Sequence, residues 1–184
     1  MLTGIFKLDD LHEFARSHPD VPQRTVDKVT YRAYRKVAAR LVDPVPTVPG
    51  WYVWFRRGPV PAPVYIGQSN TGKTSSLRVR LLDELTEEHV AIWTTVDSDA
   101  AEKLSAKWPR KYNLTRALAK QDANTIAWLA WPEATAGLLD VVEYKLIQDL
   151  LPSGNQNRRD YSTISVQEYF QVKESFLKLF SMPV

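Results

Sequence analysis

Residues 67 to 74 read G-Q-S-N-T-G-K-T, which satisfies the phosphate-binding pattern G-x-x-x-x-G-K-[ST]. In that chemistry backbone amides cradle the phosphates, Lys73 reaches the β/γ-phosphates and Thr74 supports Mg²⁺. A second cationic feature lies upstream, where Arg24, Lys28, Arg32, Lys36 and Arg40 recur every four residues with Arg35 adjacent. Such a stripe is either a solvated helix face or a line of phosphate contacts. The third feature is a carboxylate. Glu143 stands in an otherwise apolar helical pattern, and Glu is rarely buried unless it is paired or put to use. His12, His18 and His89 are too dispersed for a metal triad, and the absence of Cys excludes thiolate zinc sites and cysteine nucleophiles.

These residues must be held by elements that the chain can form. The spacing of Leu8, Leu11, Phe14 and Ala15 predicts a short helix. Pro19 and Pro22 break it, and a longer helix runs to about Leu41 with Val26, Val29, Ala33, Val37 and Leu41 as its expected buried face. Three prolines make 43–50 a connector. Trp51 to Phe55 and Val64 to Ile66 are dense in aromatic and β-branched residues, which predicts two strands of a β-hairpin. Helical spacing resumes through Leu77, Leu81, Leu82 and Leu85. Val90 to Val96 reads as a strand and 99–121 as a helix broken at Pro109. Thr125 to Trp131 suits a buried strand ended by Pro132, Thr135 to Pro152 a buried helix, and Ser165 to Phe180 a helix opened by a capping box.

The hairpin weighs against the nucleotide reading. A phosphate loop of that type follows a strand in a parallel sheet, yet only Arg56 to Pro63 separate the two strands, which favours an antiparallel pair. No downstream strand ends in an Asp that could hold the metal.

A second set of motifs covers far more sequence. Gly50-Trp51-Tyr52, Tyr65-Ile66-Gly67, Leu77-Arg78-Val79-Arg80-Leu81 and E-Y-K-L-I-Q-D-L-L-P-S-G-N from Glu143 to Asn155 follow one another in order. Together they resemble the signature elements of the GIY-YIG nuclease family, from about Gly50 to Asn155. Trp51 stands where the family usually has Ile. Glu84, one turn after Arg80, stands where the family often has Tyr or His, so that position is not carried over. The resemblance implies a catalytic set of Tyr52, Tyr65, Arg80, Glu143 and Asn155.

The implied roles are chemically coherent. Phosphodiester hydrolysis needs an activated water, positive charge on the phosphate and help for the departing oxygen. Glu143 would be the ligand of one Mg²⁺, with Mn²⁺ as a substitute, since Mg²⁺ keeps several waters and takes few protein ligands. Arg80 would grip the scissile phosphate with its forked guanidinium, while Arg78 faces elsewhere on the helix. The tyrosines would position or deprotonate the water, Tyr52 as preferred base and Tyr65 in support, which requires a phenol pKa lowered by a nearby cation. Asn155 would brace the site. Lys73 and the stripe Arg24, Lys28, Arg32, Lys36 and Arg40 are the candidate DNA contacts.

Composition sets the outer limits. The 184 residues are 44% hydrophobic and 24% charged, which fits one folded domain and excludes extensive disorder. The expected class is α/β (α+β): a small, mainly antiparallel three-stranded sheet flanked by helices. Residues 1–48 would be a helical extension, 49–160 the nuclease-like core and 161–184 a C-terminal helix packed on it. Nothing reads as a secretory leader or membrane span, so cytoplasm is the default expectation. A net charge of +3 permits nucleic acid without demanding it. The expectation is a metal-dependent endonuclease acting on double-stranded DNA, restriction first among its roles and a homodimer allowed; repair or mobile-element cleavage and a P-loop NTPase are the alternatives.

Overall fold

The computed structural model describes residues 1–18, 28–69, 76–87, 118, 121–155 and 167–182. Its described elements are β1 (Leu2–Lys7), α1 (Asp9–Ser17), α2 (Lys28–Val42), β2 (Gly50–Arg56), β3 (Ala62–Gln68), α3 (Leu77–Glu87), β4 (Thr125–Ala130), α4 (Ala136–Leu150) and α5 (Gln167–Ser181). The expected strand at 90–96, and all but a few residues of the expected helix at 99–121, lie outside the described residues.

The sheet has four strands in the order β1-β4-β2-β3, all antiparallel, where three were expected. The additional strand comes from the segment read as a helical extension. L-T-G-I-F-K is short, interrupted by Gly4 and only half-buried, so it carries little strand signal alone; pairing with β4 makes it a strand. β2 and β4 are buried along almost their whole length, as befits central strands with both faces covered.

Alternation along β2 divides the core. Tyr52 and Trp54 join Leu8, Tyr34, Ala38, Leu77 and Leu81 beneath α1, α2 and α3. Trp51, Val53 and Phe55 join Leu139, Val142, Leu146 and Phe176 beneath α4 and α5. The result is a sheet between two helical layers. Trp51 Nε1 donates to the Leu139 carbonyl at 3.0 Å, so its polar edge is satisfied inside the core.

Helix faces differ in part from expectation. In α2 the buried positions are Tyr34, Ala38 and Val42, whereas Val29 is 74% exposed and Ala33 is also exposed. The large ring of Tyr34 settles the orientation, burying more apolar area than Val29 could, and its hydroxyl donates to Leu85 O on α3 at 2.6 Å. In α5, Tyr169, Val172, Phe176, Leu179 and Phe180 are buried while Phe170 and Leu177 stay exposed. No described helix is long and apolar enough to cross a membrane.

Candidate active site

The centre forms where β2, β3 and α3 meet. Tyr52 on β2 lies opposite Gly67 on β3, and the pairing puts Tyr65 on the same face. Their ring centroids are 6.3 Å apart. Gly67 is required by this arrangement, because a Cβ there would overlap the ring and hydroxyl of Tyr52. The first glycine of the phosphate-loop pattern is therefore a paired strand residue. Ser69 extends the pairing, donating its N–H to Gly50 O at 2.9 Å.

Helix α3 presents Arg80 and Glu84 to these tyrosines from successive turns. Arg80 Nε donates to Tyr52 Oη at 3.3 Å, and an Arg80 terminal nitrogen lies 3.2 Å from Glu84 Oε2. Tyr52 donates its hydroxyl proton to the same Glu84 oxygen. Arg80 is 38% exposed at its side chain while Glu84 is 2%, so the guanidinium faces outward and the carboxylate inward. Arg78 turns away as expected: its Nε donates to Val45 O at 2.5 Å and it pairs with Asp43 at 3.5 Å, tying α3 to the connector before β2.

The tyrosines depart from the expected electrostatics. Burial, then the negative charge of Glu84 and of Tyr65, pushes the Tyr52 phenol well above its ordinary range, and Arg80 only partly opposes this. Tyr65 is raised too, by burial and then by Glu84 and Glu143. A phenol lowered by its neighbouring cation is thus not what these side chains form. Tyr52 is fully buried and Tyr65 only partly so, which places Tyr65 nearer to any water.

Glu143 reaches the centre from α4, which packs against β3. Gln68 Nε2 donates to Asp140 Oδ1 at 2.6 Å and to Glu143 Oε2 at 3.2 Å, gathering two carboxylates at the end of β3. Burial raises the Glu143 carboxyl to about 7; the Gln68 hydrogen bond opposes the rise, Asp140 adds to it, Arg80 opposes and Glu84 adds. Among the described residues Glu143 has no ion-pair partner, and no group of three or more His, Asp or Glu is placed to hold a metal. A partly buried carboxylate without an ion-pair partner, with a second carboxylate beside it, suits a cation that takes most of its ligands from water and substrate.

Asn155 works as a backbone splint. Its side chain donates to Ile66 O and accepts from Ile66 N, both at 2.8 Å, while Gly154 N donates to Val64 O at 2.8 Å. The turn after α4 thereby covers the outer edge of β3, which would otherwise expose unpaired backbone groups. Leu151, at φ 48° and ψ 49°, makes the left-handed bend that sends the chain there before Pro152.

Of the expected DNA contacts, Arg32, Lys36 and Arg40 are exposed on α2, with Arg35 beside them. Lys28 opens α2, but its side chain lies outside the described residues, as do Arg24 and Lys73. Glu84 is the buried carboxylate of this cluster that motif reasoning passes over. Its signal is a Glu among the buried positions Leu77, Leu81 and Leu85, four residues after an Arg. Comparison with family models, with curated proteins and with solved structures finds no match.

Proposed function

We propose that the chain is a metal-dependent endonuclease that hydrolyses phosphodiester bonds of double-stranded DNA, built on a GIY-YIG-like centre. The observation that carries this reading is the meeting of Tyr52, Tyr65 and Arg80, with Glu143 at the end of the same β3 strand and Asn155 fastening that strand. These side chains come from β2, β3, α3 and α4 and the turn beyond it. Four separated motifs acting as one site explain why so unusual a polar set is placed on an aromatic core.

In this mechanism Arg80, charged and partly exposed, binds the non-bridging oxygens of the scissile phosphate and neutralises charge as it develops. Tyr65 orients the attacking water and Tyr52 fixes Tyr65 and Arg80 from beneath. Glu143 would hold Mg²⁺ or Mn²⁺, which supplies Lewis-acid neutralisation at the phosphate when bound. Arg32, Lys36 and Arg40 would meet backbone phosphates, fixing register without reading bases. Restriction is the favoured role within this chemistry, with repair and mobile-element cleavage as alternatives that would use the same centre.

The nucleotide reading has less support. Gly67 and Gln68 belong to an antiparallel strand, so the described part of the pattern does not form the opening of a phosphate loop. Plasmid incubated with the purified chain and Mg²⁺, with and without ATP, tests both readings. Nicking or linearisation independent of ATP supports the nuclease; no cleavage, together with a melting shift from ATP that Lys73→Ala removes, replaces it with the NTPase.

A further inference from the structure

We infer that Glu84 is a positioning residue for the phosphate contact: together with Tyr52 it clamps one edge of the Arg80 guanidinium, so that Arg80 meets the scissile phosphate with the opposite end of its plane. This rests on the nuclease reading and gives Glu84 a part in it. A guanidinium carries its five N–H donors in a rigid plane, and Nε shares one edge of that plane with the terminal nitrogen Nη2. Both face inward here. Nε donates to Tyr52 Oη at 3.3 Å, and Nη2 lies 3.2 Å from Glu84 Oε2. The two oxygens are themselves joined, because the Tyr52 hydroxyl donates to the same Oε2. Three side chains thus close a ring about one edge of the guanidinium, and of the three only Arg80 is not buried.

Nη1 stands at the other end of the plane. Among the described residues it has no hydrogen-bond or ion-pair partner, and the Arg80 side chain is 38% exposed. That end is the one left to grip non-bridging phosphate oxygens.

Helix stability does not account for the pair. An acid four residues after a cation is the weaker orientation on a helix. The carboxylate is moreover 3% exposed, on a helix whose other buried positions are Leu77, Leu81 and Leu85, where an apolar side chain of similar volume avoids the cost of desolvating a polar group. What Glu84 supplies and an apolar residue cannot is an acceptor that orders the long Arg80 side chain before substrate arrives, so that no reorganisation accompanies the reaction. From α2, Tyr34 donates to Leu85 O, beside Glu84, and holds the turn that carries it.

The test is single-turnover cleavage of a DNA duplex with Mg²⁺ by wild type, Glu84→Gln, Glu84→Asp and Glu84→Met, each also combined with Arg80→Ala, with DNA affinity and melting temperature measured on the same proteins. Gln keeps the reach and an acceptor, Asp keeps a carboxyl group but falls a methylene short, and Met keeps only the volume. The clamp requires Glu84→Asp and Glu84→Met to lose about a hundredfold in rate at saturating DNA, the loss expected when a reacting group is misplaced by about 1 Å, with Glu84→Gln faster than both and DNA affinity little changed. In the Arg80→Ala background none of the three should slow cleavage further. Should the Met variant not fold, the order of Gln over Asp and the same cycle decide. A Glu84 that serves packing alone gives Glu84→Met a rate near wild type, or losses that follow the melting temperature and recur in full beside Arg80→Ala; either result overturns the clamp while wild-type cleavage leaves the nuclease reading standing. An inactive wild type overturns both.

Discussion

Glu143 should cost the protein stability wherever it is ionised without a metal. Its carboxyl is raised from 4.5 to about 7, burial being the main cause, so the folded state prefers the protonated form. For an acid raised in this way the favourable contribution is complete below about 4.5 and disappears as pH climbs to about 7, after which the penalty is constant. At 1.36 kcal/mol per pH unit the full penalty is roughly 3 kcal/mol, an upper bound because the side chain is only partly buried. Glu143→Gln imitates the protonated form at every pH. Urea unfolding followed by tryptophan fluorescence, in EDTA at pH 5 and pH 8, should show the variant gaining on wild type by about 2 kcal/mol between the two. Comparing the two proteins at each pH cancels the titration of Asp149 and other groups common to both. Saturating Mg²⁺ at pH 8 should then stabilise wild type, by about 2.7 kcal/mol at a hundredfold excess over its dissociation constant, and not the variant. A gap between variant and wild type that is the same at pH 5 and pH 8 would refute the electrostatic argument for this carboxylate.

Three other perturbations follow from the geometry. Gly67→Ala should displace Tyr52, lowering stability by about 1–3 kcal/mol and abolishing cleavage, as read by denaturant melts and plasmid assays. Asn155→Ala removes both bonds to Ile66 and should cost about 1–3 kcal/mol, with faster hydrogen exchange at the Ile66 amide as its local signature. Replacing Arg32, Lys36 and Arg40 together by Gln should weaken binding to all duplexes alike and flatten the log–log salt dependence by roughly 0.9 for each phosphate no longer neutralised; unchanged affinity and slope would mark the stripe as a solvated face.

How far sequence reaches toward this structure follows from the range of the interactions. The hairpin, the buried β4 strand and helices α3, α4 and α5 are legible because their patterns are local. Arg80 is separable from Arg78 by helical phase, and the structure sends the two side chains to different partners. β1 is hidden because its strand character comes from β4, more than a hundred residues away. The orientation of α2 escapes an apolar-spacing argument because Tyr34, amphipathic and not counted as apolar, outweighs the small Ala33 and terminal Val29. At the site, Tyr52 and Tyr65 can be selected from sequence, but their electrostatics cannot: whether Arg80 or Glu84 dominates the phenols depends on burial and on which oxygen each side chain reaches. Glu84 differs from the residue types that the resembling family often has there, so motif matching passes over the carboxylate that tertiary structure places against Tyr52.

In the proposed function Glu143, Arg80 and the two tyrosines hydrolyse DNA together. Its most direct test is the single-turnover rate of duplex cleavage by wild type and Glu143→Ala in Mg²⁺ and in EDTA, with DNA affinity measured on the same preparations. The expected result is Mg²⁺-dependent cleavage by wild type, its loss in Glu143→Ala, and little change in binding, because a metal ligand acts chiefly in the transition state. Cleavage by Glu143→Ala at the wild-type rate, or wild-type cleavage that persists in EDTA, would contradict it.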